Sequence, residues 1–480
     1  MILLRIRGAL ASGAIALAVS GCASIAPDSS FAEVSALVEA RTGAAPGWAR
    51  TDEDRAALSA SVDSLLEARV GMDEAVAIAF LNSPAIQSDL EELGIARAAF
   101  LSAVLPPNPV IEVVRAARGN ELEVKVSVSL LELLFWPQRA RAGEARMDAA
   151  RADAARRLAE AAADVRIAYV DYVAARQALD LYEQAESAGE AARLAAQAIY
   201  AAGNIARVDL DRQRQFAARM TAERMRAEGR IGPAFERLTA VLGLDGQQAS
   251  ALQTLSRLPA PPNRMIDADR VAEEAVSDSF PVAVAEARLR EVASRRGIRN
   301  VEALLGDVEL IGEFQRQGRW SEAYGLGFTL PLDLGASGRL RAGAEFRQAW
   351  QQLQQARLES LTASRSAAMR AEAARELALF HRDVSLRISA DVFDGVVRDF
   401  NAMQIGMFEL LQARRDRVEA GRDYVQAVAE YWQARADLER HVRLADIETS
   451  SDPSRRQETP ANAPSPATHD RAHQHEGHVH

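Results

Sequence analysis

Five of the seven histidines in this 480-residue chain fall in its last twelve positions: His469, His473, His475, His478 and His480. Neutral imidazole is a nitrogen ligand for zinc, copper, nickel and cobalt, and spacings of two to four residues let a flexible chain wrap one ion. The preceding stretch, Ser450 to Pro466, is rich in Pro, Ser, Asn and Gln and is expected to be disordered. With no second shell to fix the rings, affinity should be modest, and a solvated tail without function is the competing reading. No resident cofactor is expected. His381 and His441 sit in helical windows and read as packing residues. Asp209 and Glu409 stand at helix starts, where a carboxylate favours the positive end of the dipole. Cys22 is the only cysteine, which excludes an intramolecular disulfide and a thiolate metal cluster. The chain has no Gly-rich phosphate loop, no nucleophile elbow and no clustered metal triad in its ordered region, so an enzyme is not expected.

The first residues carry Arg5 and Arg7, then an apolar run from Gly8 to Val19, then Ser20-Gly21-Cys22. The apolar run is too short to span a bilayer, which needs about twenty residues, and reads as a signal peptide over 1–21. The block ending in Gly21-Cys22 resembles a bacterial lipobox, in which the cysteine becomes the lipidated first residue of the mature protein. Ala23 follows instead of aspartate, which favours the outer membrane. Residues 22–53 then read as a lipidated N-terminal arm and 448–480 as the disordered His-rich tail. The chain holds 57 Lys plus Arg against 67 Asp plus Glu, for a net charge of −10, so nucleic acid is not an expected partner.

Between these ends the chain states one pattern twice. Arg139, Arg141, Ala142 and Gly143 recur as Arg339, Arg341, Ala342 and Gly343, and the segment Tyr200 to Leu210 aligns without a gap on Phe400 to Leu410. Repeats are therefore assigned to 54–259 and 260–447. Each contains a short helix with a proline, at Pro84 or Pro281, then two alternating strand-like runs, then long helical regions. In the first repeat Val124, Val126 and Val128 alternate with Lys125, Ser127 and Ser129 after a turn signal at Gly119-Asn120, giving a hairpin over about 108–131. In the second, over about 307–331, a polar turn is placed near Gln315 to Arg319, and Tyr324, Leu326 and Phe328 alternate with Gly325, Gly327 and Thr329. Trp136, Trp320 and Tyr324 are expected near strand ends, where an aromatic girdle would sit. From 139 to 199 and from 338 to 398 alanine and arginine fill the windows without proline, which is helix-forming composition. Sixty such residues extend about 90 Å, longer than one compact domain can use.

Four strands cannot close a barrel, and each unpaired backbone group exposed to hydrocarbon costs several kcal/mol, so closure requires several chains. Three would give twelve strands, an even number within the range of outer-membrane barrels. The duplicated layout, the junctions Phe135 to Arg141 and Leu330 to Gly335, and the tip segment from Tyr200 resemble the TolC-type outer-membrane efflux proteins over about 70–445. The resemblance implies a mainly α protein with a small β part. Long antiparallel helical hairpins would form an α-barrel, continued by a β-barrel shared between three chains at four strands per chain. It also implies an outer-membrane exit duct, passively conducting substrate delivered by a periplasmic adaptor and an inner-membrane transporter. The histidine tail points to heavy-metal cations as the cargo.

The resemblance further implies that the turns over about 200–210 and 400–410 are periplasmic tips. Gly203, Asn204, Ile205, Gln404, Ile405 and Gly406 match the positions where the adaptor docks, and Asp209 and Glu409 the positions that line the aperture. The second tip departs from the pattern at Met403, where a glycine is expected, and at Phe400, where a tyrosine is usual. Three other readings stay open: a periplasmic coiled-coil structural or adaptor lipoprotein without a pore, a periplasmic metal buffer, and a duct for drugs or other small molecules. Apolar-faced hairpins at matching places in both repeats set a duct apart from a soluble coiled coil.

Overall fold

The computed structural model describes residues 29–115, 122–305, 308–317, 319–328 and 336–443. In the first repeat, helix α4 (Pro84–Val104) leads into strands β1 (Val110–Arg115) and β2 (Leu122–Ser129). A five-residue helix, α5 (Leu130–Leu134), then turns the chain into α6 (Trp136–Ala201), an unbroken helix of 66 residues, and α7 (Arg207–Leu242) returns. At 1.5 Å per residue α6 is about 100 Å long. Its seam is alanine-rich, with Ala154, Ala155, Ala159, Ala162 and Ala163 buried around Leu158. Small side chains there let the neighbouring helices approach closely.

Two shorter helices, α7 and α4, both pack on α6 and meet end to end. Gly243 ends α7 in the left-handed conformation, at φ +70°, and a β-carbon on it would lie 2.7 Å from the Asn82 carbonyl oxygen and 2.9 Å from Pro84 Cδ. Pro84 opens α4 at a position where its missing N–H is not needed. Asn82 Nδ2 donates to the Gly243 carbonyl at 2.6 Å. Glycine is thus required twice over, by its conformation and by the closeness of the joint.

The second repeat follows the same plan. Helix α10 (Phe280–Leu305) leads into β3 (Val308–Gln317) and β4 (Arg319–Phe328), and α11 (Ala336–Phe380) descends. A π-turn at His381–Ser385 then passes into α12 (Leu386–Asn401), and α13 (Met407–Glu439) returns. Helices α10 and α13 meet as α4 and α7 do, but the joint is bridged by Arg41, which is almost fully buried. Its guanidinium donates to the carbonyls of Asp278 (2.6 Å) and Arg440 (3.4 Å) and stacks 4.3 Å over the Phe280 ring.

Arg41 comes from the segment read from sequence as an arm, and that reading is corrected over α1 (Ser29–Thr42), which is a packed helix. Val34 and Val38, one turn apart, are wholly buried against the core that includes α6. An apolar pair spaced by four is a short signal, easily lost among small residues. With α2 (Asp52–Leu66) and α3 (Met72–Asn82), α1 forms a belt over one face of α6. Tyr169 donates its hydroxyl to the Val70 carbonyl at 2.8 Å. Arg166 donates to the Thr42 carbonyl at 2.8 Å and pairs with Asp73 at 3.1 Å and with buried Glu439 of α13 at 2.9 Å. That buried pair ties the belt to both repeats.

The four strands make one antiparallel sheet in the order β1-β2-β3-β4. The polar turn expected at Gln315 to Arg319 is tighter than the sequence suggests, since β3 runs on to Gln317 and β4 starts at Arg319.

Candidate functional site

Register decides what the sheet presents. Val124 pairs with Val113 and Phe314, Val126 with Ile111 and Gly312, and Val128 with Leu310; across the next strand Leu310 pairs with Leu326, Gly312 with Tyr324 and Val308 with Phe328. Paired residues of an antiparallel sheet share a face, so five of the residues expected to alternate outward, Val124, Val126, Val128, Tyr324 and Leu326, stand on one face, which is largely apolar and carries Glu322 opposite Phe314. The other face carries Glu112, Lys125 and Glu313 in one row and Glu123, Gln315 and Ser321 in the next. The aromatic placement is corrected in one part. Trp320 lies near the far end and Trp136 at the start of α6, where its Nε1 donates to the Val104 carbonyl at 2.9 Å, but Tyr324 is mid-strand and packs edge-on to Phe314. Strands β1 and β4 are the two edges, and neither is paired on its outer side among the described residues. Ile111, Val113, Tyr324 and Leu326 on them are mostly exposed in the single chain.

At the opposite end of the rods both tips close with the same backbone device. In the first, Gly203 at φ +77° donates its N–H to the Tyr200 carbonyl (2.9 Å), and Asn204 donates to the Ile199 carbonyl (3.1 Å). In the second, Met403 donates to the Phe400 carbonyl (2.9 Å) and Gln404 to the Asp399 carbonyl (2.9 Å). Both are Schellman closures, which need one left-handed residue. Met403 adopts it at φ +59°, the one non-glycine with positive φ among the described residues, and its side chain is 93% exposed.

Side chains around the two closures differ. In the first tip Arg207 pairs with Asp211 at 3.1 Å, and Asp209 pairs with Arg212 at 3.3 Å. The carboxylate of Asp211 and the hydroxyl of Tyr200 hold the Arg207 guanidinium more firmly protonated than usual. The positions two hundred later hold Phe400, Met407 and Leu411. Glu409 is exposed and folds back over the helix start, so that a β-carbon on Gly406 would lie 2.9 Å from its Oε2. Ile205 and Ile405 are half-buried behind the turns, whereas Gly203, Asn204, Gln404 and Gly406 are exposed. The structure thus groups the residues of each tip and keeps the two sets on separate turns.

No protein-family model matches the sequence, and no curated protein matches it either. Solved structures do. A membrane protein from Pseudomonas aeruginosa superposes with a TM-score of 0.64 at 18% identity, over 77% of this chain and 93% of that one. The outer membrane protein VceC of Vibrio cholerae gives 0.63 at 13% identity, over 79% and 95%. The Campylobacter jejuni CmeC outer membrane channel gives 0.61 at 14%, over 83% and 90%. The chain has the fold of the TolC-type outer-membrane channels. Within that fold the strands and the tips lie at opposite ends of the rods, as the sequence reading requires. No described helix is long and apolar enough to cross a membrane. Cys22 and the histidines His469, His473, His475, His478 and His480 lie outside the described residues.

Sequence reasoning missed three features: Arg41 at the second joint, the buried Arg166–Glu439 pair, and the π-turn. The first two are contacts between residues far apart in the chain, which no local pattern signals. The third had a faint one. Leu377, Phe380, Val384, Ile388 and Val392 are exposed large apolar residues, spaced mostly by four along α11 and α12. Such a run drifts around a straight α-helix by about 40° per step, and the wider turn at His381–Ser385 takes up part of that drift.

Proposed function

We propose that three copies of this chain close into an outer-membrane exit duct. The observation that carries this reading is the open sheet, with an apolar and a polar face and two unpaired edge strands. Because β1 and β4 run in opposite senses in an even-numbered antiparallel sheet, β4 of one copy can pair with β1 of the next without breaking the alternation. Three copies give twelve strands with no edge left, polar side inward. The exposed stripe Leu377, Phe380, Val384, Ile388 and Val392 gives the rods a second surface for a neighbouring copy to cover.

In this reading Cys22 carries the lipid anchor, and the tips at Gly203, Asn204, Ile205, Gln404, Ile405 and Gly406 meet a periplasmic adaptor that delivers substrate from an inner-membrane transporter. Glu409 and Asp209 from three copies surround the periplasmic aperture. The cargo reading, heavy-metal cations, rests on the tail histidines alone, which would hold a transition-metal cation outside the wall of the duct. The test is mass measurement on detergent-solubilised full-length protein, followed by planar-bilayer recording. A particle of about three chain masses that forms ion-conducting pores is expected; a monomer that stays soluble without detergent when Cys22→Ser removes lipidation would overturn the duct.

A further inference from the structure

Where α7 and α13 flank α6, a cleft of about 690 Å³ opens over α6, a volume that suits a small organic molecule. Its floor is apolar, with Ala174 and Ala178 from α6 and Val425 and Ala429 from α13. Its polar rim is dominated by arginine: Arg230, Arg237 and Arg422 line it against a single carboxylate, Asp171. Arg237 reaches Asp171 at 3.4 Å, and Asp171 also accepts from Gln433 Nε2 at 2.5 Å. Arg422 pairs with Asp423 at 2.6 Å. Among the described residues no carboxylate lies within ion-pair distance of Arg230.

A second observation falls at the same place. Pro233 sits inside α7 and forms part of the cleft wall. A proline in a helix interior removes one backbone hydrogen bond and crowds the preceding turn, so the sequence departs from good helix chemistry where the cleft is built.

The side on which the cleft opens follows from helix geometry. Tyr169 faces the belt, and Ala178, nine residues on, lies half a turn around α6 from it. This step rests on the duct reading: three belts cannot fit inside a narrow bore, so the belts lie outside the ring and the cleft faces the bore.

We infer that this cleft is a transit subsite for small organic anions, the apolar body lying on Ala174, Ala178, Val425 and Ala429 and the anionic group meeting Arg230. An aromatic sulfonate or carboxylate meets both requirements; an inorganic cation meets neither. The subsite assigns the bore a different cargo class from the one the histidine tail suggests, so the two readings predict opposite selectivity.

The test uses the full-length protein and two probes of one shape and opposite charge, 1-naphthalenesulfonate and a naphthyl trimethylammonium. Equilibrium dialysis on the solubilised protein should show sulfonate binding that weakens about tenfold in Arg230→Gln and in Ala178→Trp, which fills the floor and leaves the arginine in place. In bilayers the sulfonate should reduce single-channel current at lower concentration than the ammonium, and Arg230→Gln should remove that preference. Equal binding of both probes, or sulfonate binding unchanged in both variants, would overturn the subsite. Absence of any conductance in the wild type, with dialysis binding intact, would instead count against the duct.

Discussion

In the first repeat the joint between the ascending half-helices closes on its own residues, with Gly243 pressed against Asn82, Ser83 and Pro84 and the Asn82 amide donating to the Gly243 carbonyl; in the second a side chain from the far N-terminus, Arg41, bridges the gap. The tips show a similar divergence. The first keeps glycine at its left-handed position and follows it with the ion pairs Arg207–Asp211 and Asp209–Arg212, while the second places Met403 there and has Met407 and Leu411 where the first has Arg207 and Asp211. Duplication preserved the backbone path, because the helix ends must meet in both copies. It did not preserve the chemistry that closes them. A backbone requirement fixes φ and proximity, whereas the side chains around it are free to specialise for different neighbours.

The sharpest way to break the comparison is at the glycines. Gly243→Ala meets both a left-handed φ and a 2.7 Å contact, so unfolding experiments should show destabilisation of about 2 to 5 kcal/mol. Gly203→Ala has a similar φ with nothing within 4 Å, so it should lose only about 1 to 2 kcal/mol. Equal losses would mean that the first joint is not tightly closed.

Arg41→Met tests the second joint. It keeps an apolar stem near Phe280 and removes the donors to two carbonyls, and a loss of about 1.5 to 3 kcal/mol in the same assay is expected. A variant as stable as the wild type would show that α10 and α13 need no bridge.

At the second tip the sign reverses. Met403→Gly relieves the left-handed strain while adding freedom to the unfolded chain, for a net gain of about 0.5 to 1 kcal/mol. If the exposed methionine serves the adaptor, the more stable variant should bind it less well in a pull-down of the assembled pump. A gain in stability with docking unchanged would leave Met403 without a role at that surface.

The smallest effect is in pH. His441 lies beside the second joint, where burial, reinforced by Arg440, Arg41 and Arg370 and opposed by Asp437, pushes its imidazole below the usual 6.5. A depressed imidazole binds its proton less readily folded than unfolded. Stability should therefore fall as pH drops below about 6.5 toward the folded value, and His441→Gln should flatten that part of the profile. An unaltered slope would show that the imidazole is already solvated at the joint.

Much of the architecture was legible because it is periodic. The 66-residue rod, the alternating strands and the repeated tip segment are patterns within short windows, and the sheet register places Val124, Val126, Val128, Tyr324 and Leu326 on the face that alternation alone predicts. The helix in the segment read as an arm was not legible, because one buried pair, Val34 and Val38, is too brief a period to stand out. Met403 was legible as a departure from glycine, but not as a left-handed residue, since sequence gives an identity and not a φ angle.

The sequence by itself determined the duplication, the helix and strand periods and the alternating strand face, because each rests on local spacing. Only the tertiary structure decided that Arg41 bridges the second joint, that Arg166 and Glu439 share a buried site, and that Arg230 looks over an apolar cleft with no carboxylate beside it. Those are meetings between segments tens to hundreds of residues apart, and their energetics depend on burial and on the partner at hand, neither of which a linear pattern carries.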